Sequence, residues 1–351
     1  MKHILIDGNN LAVRAAFAND GLTNAEGLPT GVHYGVFQSL ISLRQKFPEH
    51  EMLIVWDGKS KRRMQESEDG VKQGLIPEAY KQNRKKKEMP EPLKNFYKQA
   101  PYLQKGIGQT GLPQIRLAKF EADDVIASYV KALKASSEDV VMVTSDKDYY
   151  QLLDSNVRLW DGMKMAEILY EAWKDIWGIE PPQWVEVGAL MGDNGDNIFG
   201  IPGWGEKTAI KALKKHGSLD KVLEAYKAKY EDARKAHSDL NTREDGKDLF
   251  KYLYEKKSKK DRFVYPDISF DMPYTGVLLA FDQGFVTGSK SEIMALLFES
   301  RVKLAYSLKK MDDDIPELPE FSKGVMNTDK LGEYFDFFDI RTLETAMSLF
   351  E

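Results

Sequence analysis

Three apolar runs of the chain end in an aspartate: Ile4-Leu5-Ile6-Asp7, Ile54-Val55-Trp56-Asp57 and Val143-Thr144-Ser145-Asp146. A single aspartate after a strand is ordinarily a turn former or helix cap. Three together point to convergence, because parallel strands deliver their C-terminal ends to one edge of an open α/β sheet, where ligands bind. Further carboxylates come in tight groups. Glu121-Ala122-Asp123-Asp124 opens a helical pattern, with Glu121 and Asp124 sharing a face at i, i+3. One acid in a first turn complements the helix dipole; three repel one another unless a cation stands between them. Asp148 follows Asp146 by two residues, and Asp193 and Asp196 form another i, i+3 pair. The segment holding that last pair reads, taken alone, as an Asn-Gly turn.

These nine carboxylates are all positioned to approach one site. Hard oxygen donors in such number select Mg²⁺ or Mn²⁺, not zinc, which favours His or Cys. They exceed what one octahedral ion needs, so two ions, or one ion with supporting carboxylates, are expected. A pair of ions roughly 4 Å apart can activate water and stabilise the leaving oxygen in phosphodiester hydrolysis. Competing chemistries find little support. A Walker A motif is absent, Asp7-Gly8-Asn9 lacks the second aspartate of an aspartyl-phosphate phosphatase, and the five histidines stand singly. Without cysteine there is no disulfide, thiolate zinc site or cysteine nucleophile.

Two other segments carry binding chemistry. Between Lys59 and Lys87 lie ten Lys/Arg against four Asp/Glu, in a chain whose net charge is −5. A phosphate backbone responds to that local distribution rather than to the total. Within this run Tyr80-Lys81-Gln82-Asn83-Arg84 would place Tyr80 and Arg84 on one helical face, suited to stacking a base and gripping phosphates. A solvated basic helix is the plain alternative. Downstream, Gly200-Ile201-Pro202-Gly203-Trp204-Gly205-Glu206-Lys207-Thr208-Ala209 is a Gly-Pro-rich turn entering a helix. Gly203 and Gly205 let backbone approach a phosphate, and Lys207, Thr208 and the first N–H groups of the helix can bind it without reading bases. A plain helix–helix connector is again the alternative.

Short strands at Ile4–Ile6, Met52–Trp56, Ile115–Leu117, Val140–Val143 and Val157–Trp160 alternate with helical patterns at Gly31–Gln45, Ala122–Leu133, Ala166–Trp177, Pro182–Leu190 and Lys207–Lys215. That alternation predicts a mostly parallel sheet with helices on both faces. Residues 58–110 form a charged excursion, and Asp312–Pro319 reads as a linker. At 351 residues, with 42% apolar and 30% charged side chains, the chain suits a large globular core with a helical annex. A signal-peptide-like N-terminus and any 18-residue apolar stretch are both absent, so a soluble cytoplasmic protein without membrane contact is expected.

In order along residues 2–216, these segments resemble the 5′-nuclease family of phage flap endonucleases and the 5′–3′ exonuclease domain of bacterial DNA polymerase I. The matching stretches are IDGNNLAVRA, Pro29-Thr30-Gly31, Val55-Trp56-Asp57, Tyr80-Lys81 with Arg84, Glu121–Asp124, Thr144–Asp148 and the Gly192–Ala209 run. The resemblance implies a PIN-like, Rossmann-like α/β core over 1–178, with a helical arch inserted at about 58–110. It further implies a helical DNA-binding region over 179–351 containing a helix–three-turn–helix, an insertion at about 230–300, and a strand (Val302–Lys310) and helix (Lys330–Phe350) returning to the core. On this likeness Asp57, Glu121, Asp123, Asp124 and Asp146 serve one metal, with Asp7 close by, and Asp148, Asp193 and Asp196 serve the other. Tyr80, Lys81 and Arg84 sit at the base of the arch, where the lysine meets the scissile phosphate and the tyrosine stacks on a terminal base. Lys81, Arg84 and Asp146 are then the catalytic side chains, and carbonyls of Phe199, Ile201 and Trp204 hold K⁺. The activity implied is Mg²⁺-dependent hydrolysis of branched, nicked or 5′-ended DNA, RNA primers included, by a monomer working beside replication proteins. A non-catalytic DNA-junction binder on the same fold is one rival reading, and a ribonuclease of the related PIN type, disfavoured by the arch motif and the DNA-binding hairpin, is another.

Overall fold

The computed structural model describes residues 1–73, 75–86, 88–201, 203–225 and 299–350. The predicted insertion at about 230–300 therefore lies outside the described residues. Two compact units divide the chain: 1–69 with 78–185 and 308–351, and 70–77 with 186–307.

The first unit is built on a sheet of β1 (Lys2–Asp7), β2 (Glu51–Trp56), β3 (Gln114–Arg116), β4 (Asp139–Val143), β5 (Val157–Asp161) and β6 (Ala166–Ile168), in the order β3-β2-β1-β4-β5-β6. All neighbours pair in parallel except β5 and β6. Strands β1, β2 and β4 are nearly all buried, as parallel strands covered on both faces must be. Ile4, Ile6, Met52, Ile54, Trp56, Val141 and Val143 join one core with α1 (Gly8–Ala18), α2 (Gly31–Lys46), α4 (Glu91–Gln109) and α10 (Thr328–Phe337). The alternate positions, such as Leu5, Leu53 and Met142, turn away from that core, on the side where α5 (Ala122–Ala135) supplies buried Val125, Ile126 and Val130. From β1 the chain proceeds to β2 and β3 on one side, then crosses to β4 on the other. The order reverses beside β1, which opens a crevice at the C-terminal edge of the strands.

Several expectations are corrected. Ala166–Ile168, read as the start of a helix, is strand β6, paired antiparallel to β5 across a tight turn in which Met165 has φ 51°; only Tyr170–Trp177 (α6) is helical. Val302–Lys310, read as a strand, lies in helix α9 (Glu299–Lys309), where Val302, Ala305 and Leu308 are buried at helical spacing. Lys330–Phe350 is interrupted at Asp339, whose φ of 53° separates α10 from a 3₁₀ helix at Arg341–Phe350. The 58–110 excursion comprises α3 (Lys61–Lys72), a 3₁₀ turn at Gln82–Lys86 and α4. Asp312–Pro319 is more than a linker. Ser128 Oγ donates to Asp312 O at 3.1 Å and accepts from the Ile315 N–H at 3.3 Å, and the Tyr129 hydroxyl donates to Pro319 O, so the segment is fastened along α5.

In the second unit α7 (Trp184–Met191) runs into a turn that leads to α8 (Glu206–His216). Among the described residues no helix is long and apolar enough to cross a membrane.

Candidate active site

The segment Asp7-Gly8-Asn9-Asn10 ties three strand ends together. Asp7 caps α1 by accepting from the Asn10 N–H at 2.9 Å. Asn9 Oδ1 accepts from the Asp57 N–H at 3.1 Å, fastening the end of β2. Asn10 Oδ1 accepts from both the N–H and the hydroxyl of Ser145 at 3.1 Å, fastening the end of β4. Only glycine fits at position 8, where a Cβ would stand 2.8 Å from the Trp56 ring and 2.9 Å from Ile54.

Around this knot the acids of the first unit gather. Asp57 accepts from the Ala122 N–H at 2.9 Å, which sets the α5 N-terminus against β2. Asp146 caps the 3₁₀ helix Lys147–Leu152 by accepting from the Asp148 N–H at 2.9 Å. That helix is backed by Tyr150 packed edge-on against Trp173 and Trp184, with ring centroids 5.1 and 5.2 Å away. Burial, then the charges of Asp57, Asp146 and Asp123, push the Asp7 carboxyl up to about 8. Burial also raises Asp57. Asp146 is pushed up to about 7 by the surrounding protein and by Asp148, although its solvent-facing side weakens that push. Mutual elevation of this kind means that the negative charges crowd one another with too little positive charge nearby.

Three cations of the chain supply part of it. Arg63, only 1% exposed, donates from Nη1 to Glu121 at 2.7 Å and from Nη2 to Asp124 at 2.9 Å. Asp123 Oδ2 lies 3.0 Å from the same Nη2, while Nε donates to the Leu308 carbonyl at 3.0 Å. Burial works to raise Asp123, yet Arg63 holds it below the usual carboxylate range. Fully buried Asp124 is pushed up to about 7, by burial first and Asp123 second; it also accepts from the Asp312 N–H at 2.8 Å. Lys81 Nζ donates to Glu121 Oε1 at 2.7 Å, and the Tyr80 hydroxyl to Glu121 Oε2 at 2.9 Å. Lys309 Nζ grips both oxygens of Asp148 at 2.9 and 2.7 Å. Among the described residues no three acids or histidines close on a common point as metal ligands.

The all-oxygen donor set fits hard divalent cations. Asp7, Asp57 and Asp146 are the strand-end acids whose carboxyls stay raised, with Lys81 offsetting Asp57 and Lys309 offsetting Asp146 only in part. Asp124 is differently placed, saturated by Arg63 and a backbone N–H away from solvent. Sequence reasoning missed Arg63, Lys309, Asn9, Asn10 and Tyr149, whose hydroxyl donates to Asp7 at 3.3 Å. Only the two asparagines carried a signal, by following a strand-end aspartate directly.

Tyr80 and Arg84 do not share a helical face. Lys81 adopts left-handed φ of 56°, so the chain turns there, and only the short 3₁₀ helix Gln82–Lys86 follows. The turn brings Tyr80 and Lys81 onto Glu121, with the ammonium 4.7 Å from the Tyr80 ring centroid, and leaves Arg84 exposed.

Asp193 and Asp196 belong to the second unit. Asp193 Oδ1 accepts from the N–H groups of Gly195 at 2.7 Å and Asp196 at 3.3 Å, and Asp193 bridges Ile198. Gly203 takes φ 82° and Gly205 caps α8, whose first turn carries Lys207 and Thr208. Of the carbonyls expected to hold K⁺, that of Phe199 accepts from Arg301 Nε at 3.3 Å and that of Ile201 from the Trp204 N–H at 3.0 Å.

Residues 2–178 match the family model described as 5′-3′ exonuclease, N-terminal resolvase-like domain, and residues 179–261 match 5′-3′ exonuclease, C-terminal SAM fold. The chain belongs to the 5′-3′ exonuclease family. A relative named 5′-3′ exonuclease, from Aquifex aeolicus, is 32% identical over 240 residues, covering 68% of this chain and 78% of that protein. DNA polymerase I of Pseudomonas aeruginosa is 36% identical over 229 residues, 63% of this chain and 24% of that enzyme. The chain thus spans about a quarter of the length of its polymerase I relatives. Among solved structures, bacteriophage T5 5′-exonuclease with bound zinc has a TM-score of 0.52 at 24% identity, covering 64% of this chain and 79% of that one. The catalytic core of Rad2 with DNA substrate has a TM-score of 0.54 at 14% identity, covering 99% of this chain and 92% of that one. These two likenesses show a shared fold.

Proposed function

We propose that this chain is a Mg²⁺-dependent 5′ nuclease that hydrolyses phosphodiester bonds of branched, nicked or 5′-ended DNA. The observation that carries the reading is the placement of Asp7, Asp57 and Asp146 just after β1, β2 and β4 at the C-terminal edge of the sheet, with carboxyls raised by burial and by neighbouring acids. Relatives named 5′-3′ exonuclease and DNA polymerase I, and a fold shared with structures described as holding divalent metals or DNA, support it.

Asp57, Glu121, Asp123 and Asp146 would hold one divalent ion with Asp7 close by, and Asp148 would serve a second. Bound there, the ions would offset phosphate charge and activate the attacking water. The chain's own residues prepare the rest. Tyr149, held protonated by burial and by Asp7, keeps the Asp7 carboxylate in one orientation. Lys81, on a strained left-handed turn, holds its ammonium at the rim of the acid cluster, where a phosphate oxygen needs a donor. Tyr80 offers its ring beside that ammonium for a terminal base, and Arg84 adds a charge for an adjacent phosphate. Gly203, Gly205, Lys207 and Thr208 grip duplex phosphates at the start of α8. The chain acts as a monomer in the cytoplasm, in replication or repair.

Incubation with 5′-labelled flap, nicked and single-stranded DNA tests this. Mg²⁺-dependent cleavage near the flap junction, leaving 5′-phosphate and 3′-hydroxyl ends, is expected, with Asp146→Ala binding DNA but not cutting it. Undiminished cleavage in excess EDTA refutes the proposal.

A further inference from the structure

Residues 308–312 are each fastened through the backbone by side chains of the first unit. The Leu308 carbonyl accepts from Arg63 Nε at 3.0 Å, the Lys309 carbonyl from Gln151 Nε2 at 3.2 Å and the Lys310 carbonyl from Arg62 Nη2 at 2.7 Å. The Met311 N–H donates to Gln151 Oε1 at 3.2 Å, and the Asp312 N–H to Asp124 Oδ1 at 2.8 Å. Gln151 Nε2 also donates to the Asp148 carbonyl at 2.9 Å, on the same 3₁₀ helix, so one amide joins the backbones of Asp148 and Lys309. On this fixed backbone the Lys309 side chain is only 4% exposed, and its ammonium lies on both oxygens of Asp148. Its charge also acts on Asp146. A lysine that met an acid by chance would stay solvated at the end of a flexible stem. Lys309 is instead held out of water, where a charge needs its partner. Lys81 differs, since its side chain is 27% exposed and can leave Glu121 for solvent or a phosphate.

We propose that Lys309 is a positioning residue that holds the Asp148 carboxylate in place of the second divalent ion and thereby keeps that ion weakly bound. An ammonium on both oxygens takes the lone pairs that an incoming hard cation needs. The ion therefore enters by exchange with Lys309, not by filling an open carboxylate. This rests on the nuclease reading, which gives Asp148 to the second ion, and adds the residue that sets that ion's affinity.

The test is Mn²⁺ binding to the full chain without DNA, read by calorimetry and by loss of the free-ion paramagnetic resonance signal. The parent is expected to bind one ion tightly and a second weakly. Lys309→Met, and Lys309→Gln as a variant that keeps a polar tip, should tighten the second ion roughly tenfold, the part of the charge attraction that survives desolvation of both groups. The first ion should change far less. Lys310→Met removes the same charge from the exposed neighbouring residue and should alter neither ion. In an Asp148→Asn background the Lys309 substitutions should no longer matter. Without metal Lys309→Met should melt below the parent, and saturating Mn²⁺ should close that gap, which a purely structural lysine would not allow. Weaker, unchanged or undetected second-ion binding in both Lys309 variants overturns the proposal, as does an equal gain from Lys310→Met. If the parent cuts no labelled flap at any Mg²⁺ concentration, the nuclease reading fails instead, and the Mn²⁺ titration still judges Lys309 separately.

Discussion

Replacing Arg63 by methionine removes a buried guanidinium while keeping most of its volume. The structure sets the scale of the effect. Arg63 reaches Glu121, Asp123 and Asp124, the last of these fully buried, and its Nε holds the Leu308 carbonyl. Removing one partner from a buried ionic cluster costs roughly 3–5 kcal/mol, because the remaining charges stay out of water uncompensated. For a domain of this size that corresponds to a fall in melting temperature on the order of 10 °C. The loss should depend on conditions. Asp123 is held low in the folded state by Arg63, so its contribution is present above the ordinary aspartate range and fades as pH falls through the folded value. Asp124, already pushed up to about 7, would rise further without the guanidinium and be protonated at mildly acidic pH. The gap between parent and Arg63→Met should therefore be widest near pH 7.5 and narrow towards pH 5. Saturating Mg²⁺ should also narrow it, by supplying positive charge to the same acids. Thermal melts by circular dichroism, with and without Mg²⁺ at both pH values, read all of this. A deficit that is constant across pH and metal would refute the electrostatic reasoning and leave only lost packing.

Two other outcomes follow from the site. Asp7, with its carboxyl pushed up to about 8, binds a proton in the folded protein that the unfolded chain releases near pH 4. Metal-free stability should therefore decline between about pH 4 and 8 and level off above, and Asp7→Asn should flatten that decline while abolishing cleavage. Denaturant titrations across pH check it, and an unchanged slope in the variant speaks against the buried acid as its source. Lys207→Ala should weaken DNA binding and reduce its salt slope by about 0.9, as loss of one duplex phosphate contact predicts; an unaltered slope places Lys207 away from the backbone.

Much of the fold was legible before any coordinates, because buried parallel strands need continuous apolar runs and helices need a 3.6-residue period. Where local pattern was ambiguous, tertiary pairing decided. Ala166–Ile168 carries a helical pattern but completes the edge of the sheet as β6, since β5 otherwise leaves an unpaired ladder. Val302, Ala305 and Leu308 suit a strand or a helix over so short a stretch, and only burial on one side makes Glu299–Lys309 a helix.

For the site, the acids and the cations differ in kind. That Asp7, Asp57 and Asp146 end strands is a local property, readable from alternation and from the rule that parallel strands share an edge. The positions of Arg63 and Lys309 are not local. Each arrives from a distant segment, 58 residues before Glu121 in one case and 161 after Asp148 in the other. In the sequence, Arg63 is one member of a basic run and Lys309 one lysine among many. The order of apolar runs and the acids that follow them pointed to carboxylates gathered at the edge of an α/β sheet. Which acids meet a cation of the chain, and which are pressed upward by burial and by neighbouring acids, was decided by packing, because charge compensation depends on distance in space and not on separation along the chain.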